Sequence, residues 1–177
     1  MACSGNPAQI CGGLSSNSVY KTIIKPLFNL YGYNIGNSFY DAGNDTSYNI
    51  SKIMIYSNFS INAIQLEFSN GINSYTSSLH GDNSKGTLYN FIIPNQEYIF
   101  FIYVCYGTTL INRNSIIQLQ FITNMGTSSL IYGAKSGGIC FNVNLPGGLF
   151  AIGGYSDNYL NGIYFNSTNL TTTSKFV

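Results

Sequence analysis

Ile64-Gln65-Leu66-Glu67-Phe68 and Ile117-Gln118-Leu119-Gln120-Phe121 are near copies of one another, and Gly162-Ile163-Tyr164-Phe165 is a looser third. Each alternates apolar and polar side chains, the period of a strand with one face on a core. Three related units spaced by about 45–55 residues predict an all-β body with pseudo-threefold symmetry. Leu66, Phe68, Leu119, Phe121, Ile163 and Phe165 are then the inward-facing residues, because one face of each strand must be buried.

Outward from these units, no long segment has helical period. Runs rich in Ile, Tyr, Phe, Val and Thr, punctuated by Gly, Asn and Ser, predict short strands. They fall at 50–57, 62–69, 72–78, 87–93, 98–106, 115–123, 129–133, 138–143, 148–153 and 160–166. Asn70-Gly71 reads as a tight hairpin turn, since both residues tolerate positive φ. Pro146-Gly147 is a second turn signal.

The chain has 177 residues, room for one ordinary domain, with 7% charged residues and net charge +1. That charge excludes a nucleic-acid binder, which needs a basic face to meet phosphates. Disorder is excluded by 15% aromatics, including 15 Tyr and 12 Phe. The most apolar stretch, Ile99 to Cys105, is far short of the ~20 residues of a membrane-spanning helix. Residues after Met1 are small and polar, unlike the basic-then-apolar start of a secretory leader.

Chemistry-bearing residues are sparse. The six carboxylates (Asp41, Asp45, Glu67, Asp82, Glu97 and Asp157) are scattered, without the paired arrangement of a glycoside hydrolase. The single histidine, His80, reads as a loop or turn residue beside Gly81, and no Cys-His pattern supports a catalytic triad. Without CxxC, a zinc site is unsupported, and no metal or cofactor is expected. Cys105 and Cys140, in strand-like runs, are expected to be buried small hydrophobes. Ser136 to Gly138 lacks the Lys-Ser/Thr of a phosphate loop. Glycosylation acceptors at Asn44, Asn49, Asn58, Asn166 and Asn169 are as many as this composition produces by chance. The chain is therefore expected not to be an enzyme.

From about residue 26 to 166 the order of motifs resembles a jacalin-related lectin. The stretch from Tyr31 to Asp41 is similar to that family's glycine-rich opening loop followed by Phe-Asp. His80-Gly81 is similar to its His-Gly. "IIPNQEYIFFIYVCYG" (92–107) resembles the strand pair "L..GEYI..V.G.YG". "IIQLQFITNMG" (116–126) resembles "I.SL.F.TN.G", and "IYGAKSGGICF" (131–141) resembles "YG...G..F". "LFAIGGYSDNYLNGIYF" (149–165) resembles "I.GF.GR.G..LDAIG.Y". The resemblance implies a β-prism of three four-stranded antiparallel Greek-key sheets.

Residues 1–20 resemble something else. "CSGNPAQICGGLSSNSVY" (3–20) is similar to the end of a WSC-type cysteine-rich domain, with Cys3 and Cys11 matching two of its cysteines. WSC-type domains are extracellular and regarded as carbohydrate-binding, which implies a secreted or cell-surface parent. The expected organisation is a partial WSC-type segment at 1–20, a linker at 21–25, a jacalin-like domain at 26–170 and a tail at 171–177. About 20 residues cannot bury a core of their own.

The resemblance also implies a site. In the family, the opening loop and a last loop of pattern G-x-x-x-D hold a monosaccharide, the Asp accepting from two hydroxyls. Here the matching stretch is Asp157-Asn158-Tyr159-Leu160-Asn161, with Asp157 for Gly and Asn161 for Asp. Asn161 keeps an acceptor and adds a donor, but loses the charge. Backbone N–H groups of Asn158, Tyr159 and Leu160 are expected to assist, and Asp157 could supply a carboxylate. Gly36 and Asn37 stand where the family has paired glycines. Tyr155 and Tyr159 are candidate stacking residues. Tyr106 and the loop 107–113 would form a third wall, with Arg113 an extra donor. Restoring the carboxylate by Asn161→Asp is expected to tighten binding. The partners are then glycans or glycoproteins, and a homo-oligomer is admitted. An uncut opening loop favours mannose or glucose over galactose. The alternative is a structural or protein-interaction prism that has lost its sugar.

Overall fold

The structure, a computed structural model, describes residues 29–109, 114–133 and 138–167. The expected segments at 1–20, 21–25 and 171–177 lie outside the described residues, as does Arg113. All regular structure among the described residues is β, except one 3₁₀ turn at Asn83–Lys85.

Three hairpins form the frame: β3 (Asn49–Ser57) with β4 (Ile61–Ser69), β8 (Ile99–Thr108) with β9 (Asn114–Thr123), and β12 (Leu149–Ser156) with β13 (Leu160–Ser167). Each hairpin is the centre of one antiparallel sheet. The first is flanked by β7 (Thr87–Ile92) and by β5 (Ser74–Thr76) and β6 (His80–Gly81), which share one edge. The second is flanked by β10 (Tyr132–Gly133) and β11 (Ile139–Asn144). The third is flanked by β1 (Tyr31–Gly32) and β2 (Asn37–Ala42), so strands from opposite ends of the described chain meet in one sheet. This is the expected β-prism.

The three hairpins are irregular at the same places. Register shifts fall at Ile50/Lys52 and Tyr56/Ser57, at Ile99/Phe101 and Cys105/Tyr106, and at Leu149/Ala151 and Tyr155/Ser156. Aligning them makes Ile53, Ile102 and Ile152 equivalent, and likewise Ile64, Leu119 and Ile163, all buried on the common axis. All six residues expected to face inward are buried. The true equivalence differs from the sequence repeat by two residues: Ile64 answers to Leu119, not Ile117.

The short edge strands depend on glycine. Tyr31-Gly32, His80-Gly81 and Tyr132-Gly133 occupy equivalent positions, and each glycine has positive φ. A Cβ there would lie 2.5 Å from the Asn161 carbonyl oxygen at Gly32, 2.0 Å from that of Asn62 at Gly81 and 2.0 Å from that of Ile117 at Gly133. The aromatic partner of each glycine crosses to the next sheet. Tyr31 packs on Phe141 at 5.3 Å, His80 on Phe39 at 3.8 Å, and Tyr132 on Tyr89 at 5.6 Å between ring centroids.

Three expectations need correction. His80 is not in a loop: it belongs to β6, stacks on Phe39 and donates from Nε2 to Asp41 Oδ2 at 2.9 Å. Cys105 is buried as expected, but Cys140 is exposed, and the two stand directly opposite on β8 and β11 and form a disulfide. The stretch 37–42, which is not among the expected strands, is the edge strand β2, paired from Asn37 opposite Ser156 to Ala42 opposite Ala151. The turns hold: Asn70 closes 70–73 by accepting from Ile72 and Asn73, and Gly148 donates to Leu145 across Pro146-Gly147.

Candidate functional site

At one end of the prism, called the apical end here, the β1–β2 loop meets the β12–β13 turn. Contact is close because Gly36 has φ +92° and no side chain: a Cβ would lie 2.3 Å from the Ser156 carbonyl oxygen. Two hydrogen bonds lock the loop onto β13. Tyr33 N–H donates to the Asn161 carbonyl at 3.0 Å, and the Asn161 side-chain Nδ2 donates to the Ile35 carbonyl at 3.0 Å. Asn161 is only 3% exposed, because it is the extra residue of the bulge at Tyr155/Ser156. One of its two amide N–H groups is held by Ile35, which fixes the direction of the side chain.

The turn itself is self-contained. Asp157 N–H donates to the Tyr159 carbonyl at 3.0 Å, and Tyr159 N–H donates to Asp157 Oδ1 at 3.0 Å. Thus one expected donor, Tyr159 N–H, is committed inside the turn, and so is one oxygen of the Asp157 carboxylate. The exposed Asn158 keeps its N–H at the tip. Leu160 is fully buried and offers only backbone. Asn37 is exposed at the start of β2.

The aromatics divide. Tyr106 stands edge-on to Tyr33, centroids 5.7 Å apart, and stacks on Phe141 at 5.9 Å, so it does wall the opening loop. Tyr155 does not join them. It lies in β12 opposite Ser38 and Gly162, and strand alternation puts it on the outer sheet face with Tyr164. Burial, with Tyr40 and Tyr155 nearby, pushes the Tyr164 phenol up from its ordinary pKa. Tyr159 stays at the rim, where the Lys85 ammonium lies 5.7 Å from its ring centroid. Lys85 also pairs with Asp82 at 3.1 Å. The Ser84 hydroxyl, then the Ser84 N–H, then Lys85 pull the Asp82 carboxyl down to about 2.

Sequence reasoning missed Tyr33 and Lys85. Tyr33 could have been suspected from its place in the opening loop. Lys85 carries no local signal, since its approach to Tyr159 depends on packing between two sheets. It also missed that Asn62 is the bulge equivalent of Asn161: Asn62 is 4% exposed, and its Oδ1 has no partner among the described residues.

The model of the Jacalin-like lectin domain matches residues 28–165. The chain belongs to that family. Jacalin-like lectin domains bind carbohydrate and are not enzymes, so this chain is no enzyme. No curated protein matches it. Among solved structures, it is similar to AcmJRL, a mannose binding jacalin related lectin from Ananas comosus, at 25% identity. That match has TM-score 0.67 and covers 79% of this chain and 96% of that one. Calsepa lectin, solved with a bisected glycan, shares the fold at 20% identity and TM-score 0.67, with 80% and 96% covered. Artocarpin, solved with mannopentose, shares it at 16% identity and TM-score 0.70, with 79% and 95% covered. The jacalin-like fold of this domain is thereby shown.

Proposed function

We propose that the chain is a carbohydrate-binding lectin domain that holds a mono- or oligosaccharide at its apical end. The observation that carries this is the seating of loop 33–36 on Ser156 and Asn161, which brings together the two loops from which the family builds its sugar pocket. Asn161 offers its amide oxygen, Asn158 its N–H, and Gly36 and Asn37 line the opening side. Tyr159 and Tyr106 offer aromatic faces to sugar C–H groups. Mannose or glucose is the favoured ligand. The opening loop is uncut, and the relative at 25% identity is a mannose binder.

One observation favours a second reading, a prism that has lost its sugar and binds protein. Asn161 is nearly buried with its side-chain amide held by the Ile35 carbonyl, and Asp157 is partly tied into its own turn. A glycan array followed by titration calorimetry with mannose, glucose and galactose decides between the two. The lectin reading expects mannose or glucose to bind. Silence across the array and at millimolar monosaccharide would overturn the lectin reading and favour the second.

The Cys105–Cys140 disulfide supports an oxidising compartment, hence an extracellular or cell-surface location. We assign the lectin domain to 26–170, following a WSC-type segment at 1–20. A homo-oligomer would use edge strand β11, where Ile139 and Phe141 are exposed.

A further inference from the structure

A cavity of about 380 Å³ lies at the other end of the prism. It opens between the start of β3, the turn after β4 and the segment 93–98 that joins β7 to β8. Its floor is apolar: Ile50, Ile93, Ile99 and Leu149 are all buried. Its rim is polar, carrying Asn49, Asn95, Gln96 and Glu97. That volume is at the low end for small-molecule pockets, enough for about one or two sugar rings.

Two features set the rim apart from an ordinary surface hollow. First, the Pro94–Glu97 turn, closed by Glu97 N–H donating to the Pro94 carbonyl at 3.1 Å, places Gln96 at φ +69°. It is the only non-glycine residue with positive φ among the described residues. The family pattern has glycine at this position. A glutamine in that conformation costs stability, and such strain concentrates where a side chain is needed for a ligand. Second, the rim is held still. Thr123, buried in β9, donates its hydroxyl to Glu97 Oε2, and Tyr98 N–H donates to Asn124 Oδ1 at 3.0 Å. Meanwhile the side chains of Asn49, Asn95 and Gln96, and Glu97 Oε1, keep their hydrogen-bonding capacity unspent among the described residues.

The charge selects the ligand class. Among the described residues, no Lys, Arg or His lines the cavity, so none of them would neutralise a phosphate or carboxylate. The nearby Lys52 is committed to Glu67 at 2.5 Å. Three amides and one positioned carboxylate over an aliphatic floor match a neutral ligand with hydroxyls on its edge and C–H groups on one face. We propose that this cavity is a second glycan-binding site, with Gln96 and Glu97 as its principal contacts. It does not depend on the apical site. The two sites at opposite ends would let one chain bridge two glycans.

The test is an amide NMR titration of the intact chain with methyl mannoside, glucoside and galactoside and with mannobiose, beside a glycan array. The proposal expects one set of shifts at 93–98 and 69–71, titrating separately from any set at 33–36 and 157–161. Gln96→Gly should raise Tm by a few degrees as the strain is relieved. It should also weaken binding at 93–98 by about tenfold, the worth of one good hydrogen bond. Shifts at 157–161 should be unchanged in that variant. Glu97→Gln should weaken the same set without raising Tm. On the array, glycans retained by Asn161→Ala should be lost by Asn161→Ala combined with Gln96→Gly. Absence of shifts at 93–98 with every saccharide, together with an array silent for Asn161→Ala, overturns the second site whatever the apical site does. So does a Gln96→Gly chain that gains stability and keeps its shifts at 93–98.

Discussion

The side-chain amide of Asn161 donates to the backbone carbonyl of Ile35, 126 residues earlier in the chain. This bond reverses the expectation for Asn161→Asp. A carboxylate at that place turns an acceptor toward an acceptor and leaves the Ile35 carbonyl without its donor. The variant should lose about 1–3 kcal/mol of stability, the cost of a carboxylate facing a carbonyl at a position only 3% exposed. Its sugar affinity should be no tighter than wild type. Thermal melts and calorimetry check both; an Asp variant of full stability and higher affinity would show that the donor is dispensable.

Gly133→Ala should be among the most damaging small changes. The added methyl would fall 2.0 Å from the Ile117 carbonyl, at φ +83°. Overpacking and the left-handed backbone together should cost about 2–5 kcal/mol. Gly71→Ala, also at positive φ but with nothing within 4 Å, is the matched control and should cost about 1–2 kcal/mol. Denaturant midpoints of the two variants separate crowding from backbone strain.

Reducing the disulfide should destabilise the domain without unfolding the frame. Cys105 and Cys140 close a loop with sequence separation 35 and fasten edge strand β11 to β8. Loop-closure entropy of that size contributes about 2–4 kcal/mol. Melts with and without dithiothreitol should differ in Tm, and Cys105→Ala should remove the difference. Equal melts for the wild type would mean that the thiols are not paired in solution.

Phe121→Ala should cost about 3–5 kcal/mol, since the ring is fully buried and packs beside Phe91 at 6.4 Å. Gln120→Ala, on the opposite face of the same strand, should cost less than about 1 kcal/mol. Similar losses for both would place the strand in the wrong register.

The fold was legible because alternation survives errors of alignment. Pairing Ile64 with Ile117 rather than Leu119 is a slip of two residues, and a slip of two keeps every side chain on its own face. The inward residues were therefore right although the equivalence was not. Two-residue strands such as His80-Gly81 show no period at all, so His80 read as loop. The disulfide depended on the register of β8 against β11, which neither cysteine's neighbours reveal. At the site, the family pattern pointed to 157–161 and to Gly36. The commitments of Asn161 to Ile35 and of Tyr159 to Asp157 are long-range or conformational, and composition carries no trace of either. Tyr155 was misjudged for a simpler reason: β12 runs as far as Ser156, so its aromatic belongs to a sheet face.

The third sheet has a consequence for assembly during synthesis. Of the described strands, β1 and β2 leave the ribosome before the others, and β12 and β13 after them. The first two sheets are built from consecutive strands and can close as they emerge. The third must wait, with Phe39 and Tyr31 unsatisfied, until Gly154 and Ile163 arrive to pair with them. Closing so long a loop is slow. The apical pocket is therefore the last part of the molecule to exist, and a nascent chain lacking β13 would be a two-thirds prism unable to hold a sugar there. Splicing β13 directly to β1 and opening the chain between β2 and β3 would make every sheet local, and should speed folding while leaving the pocket's walls in place.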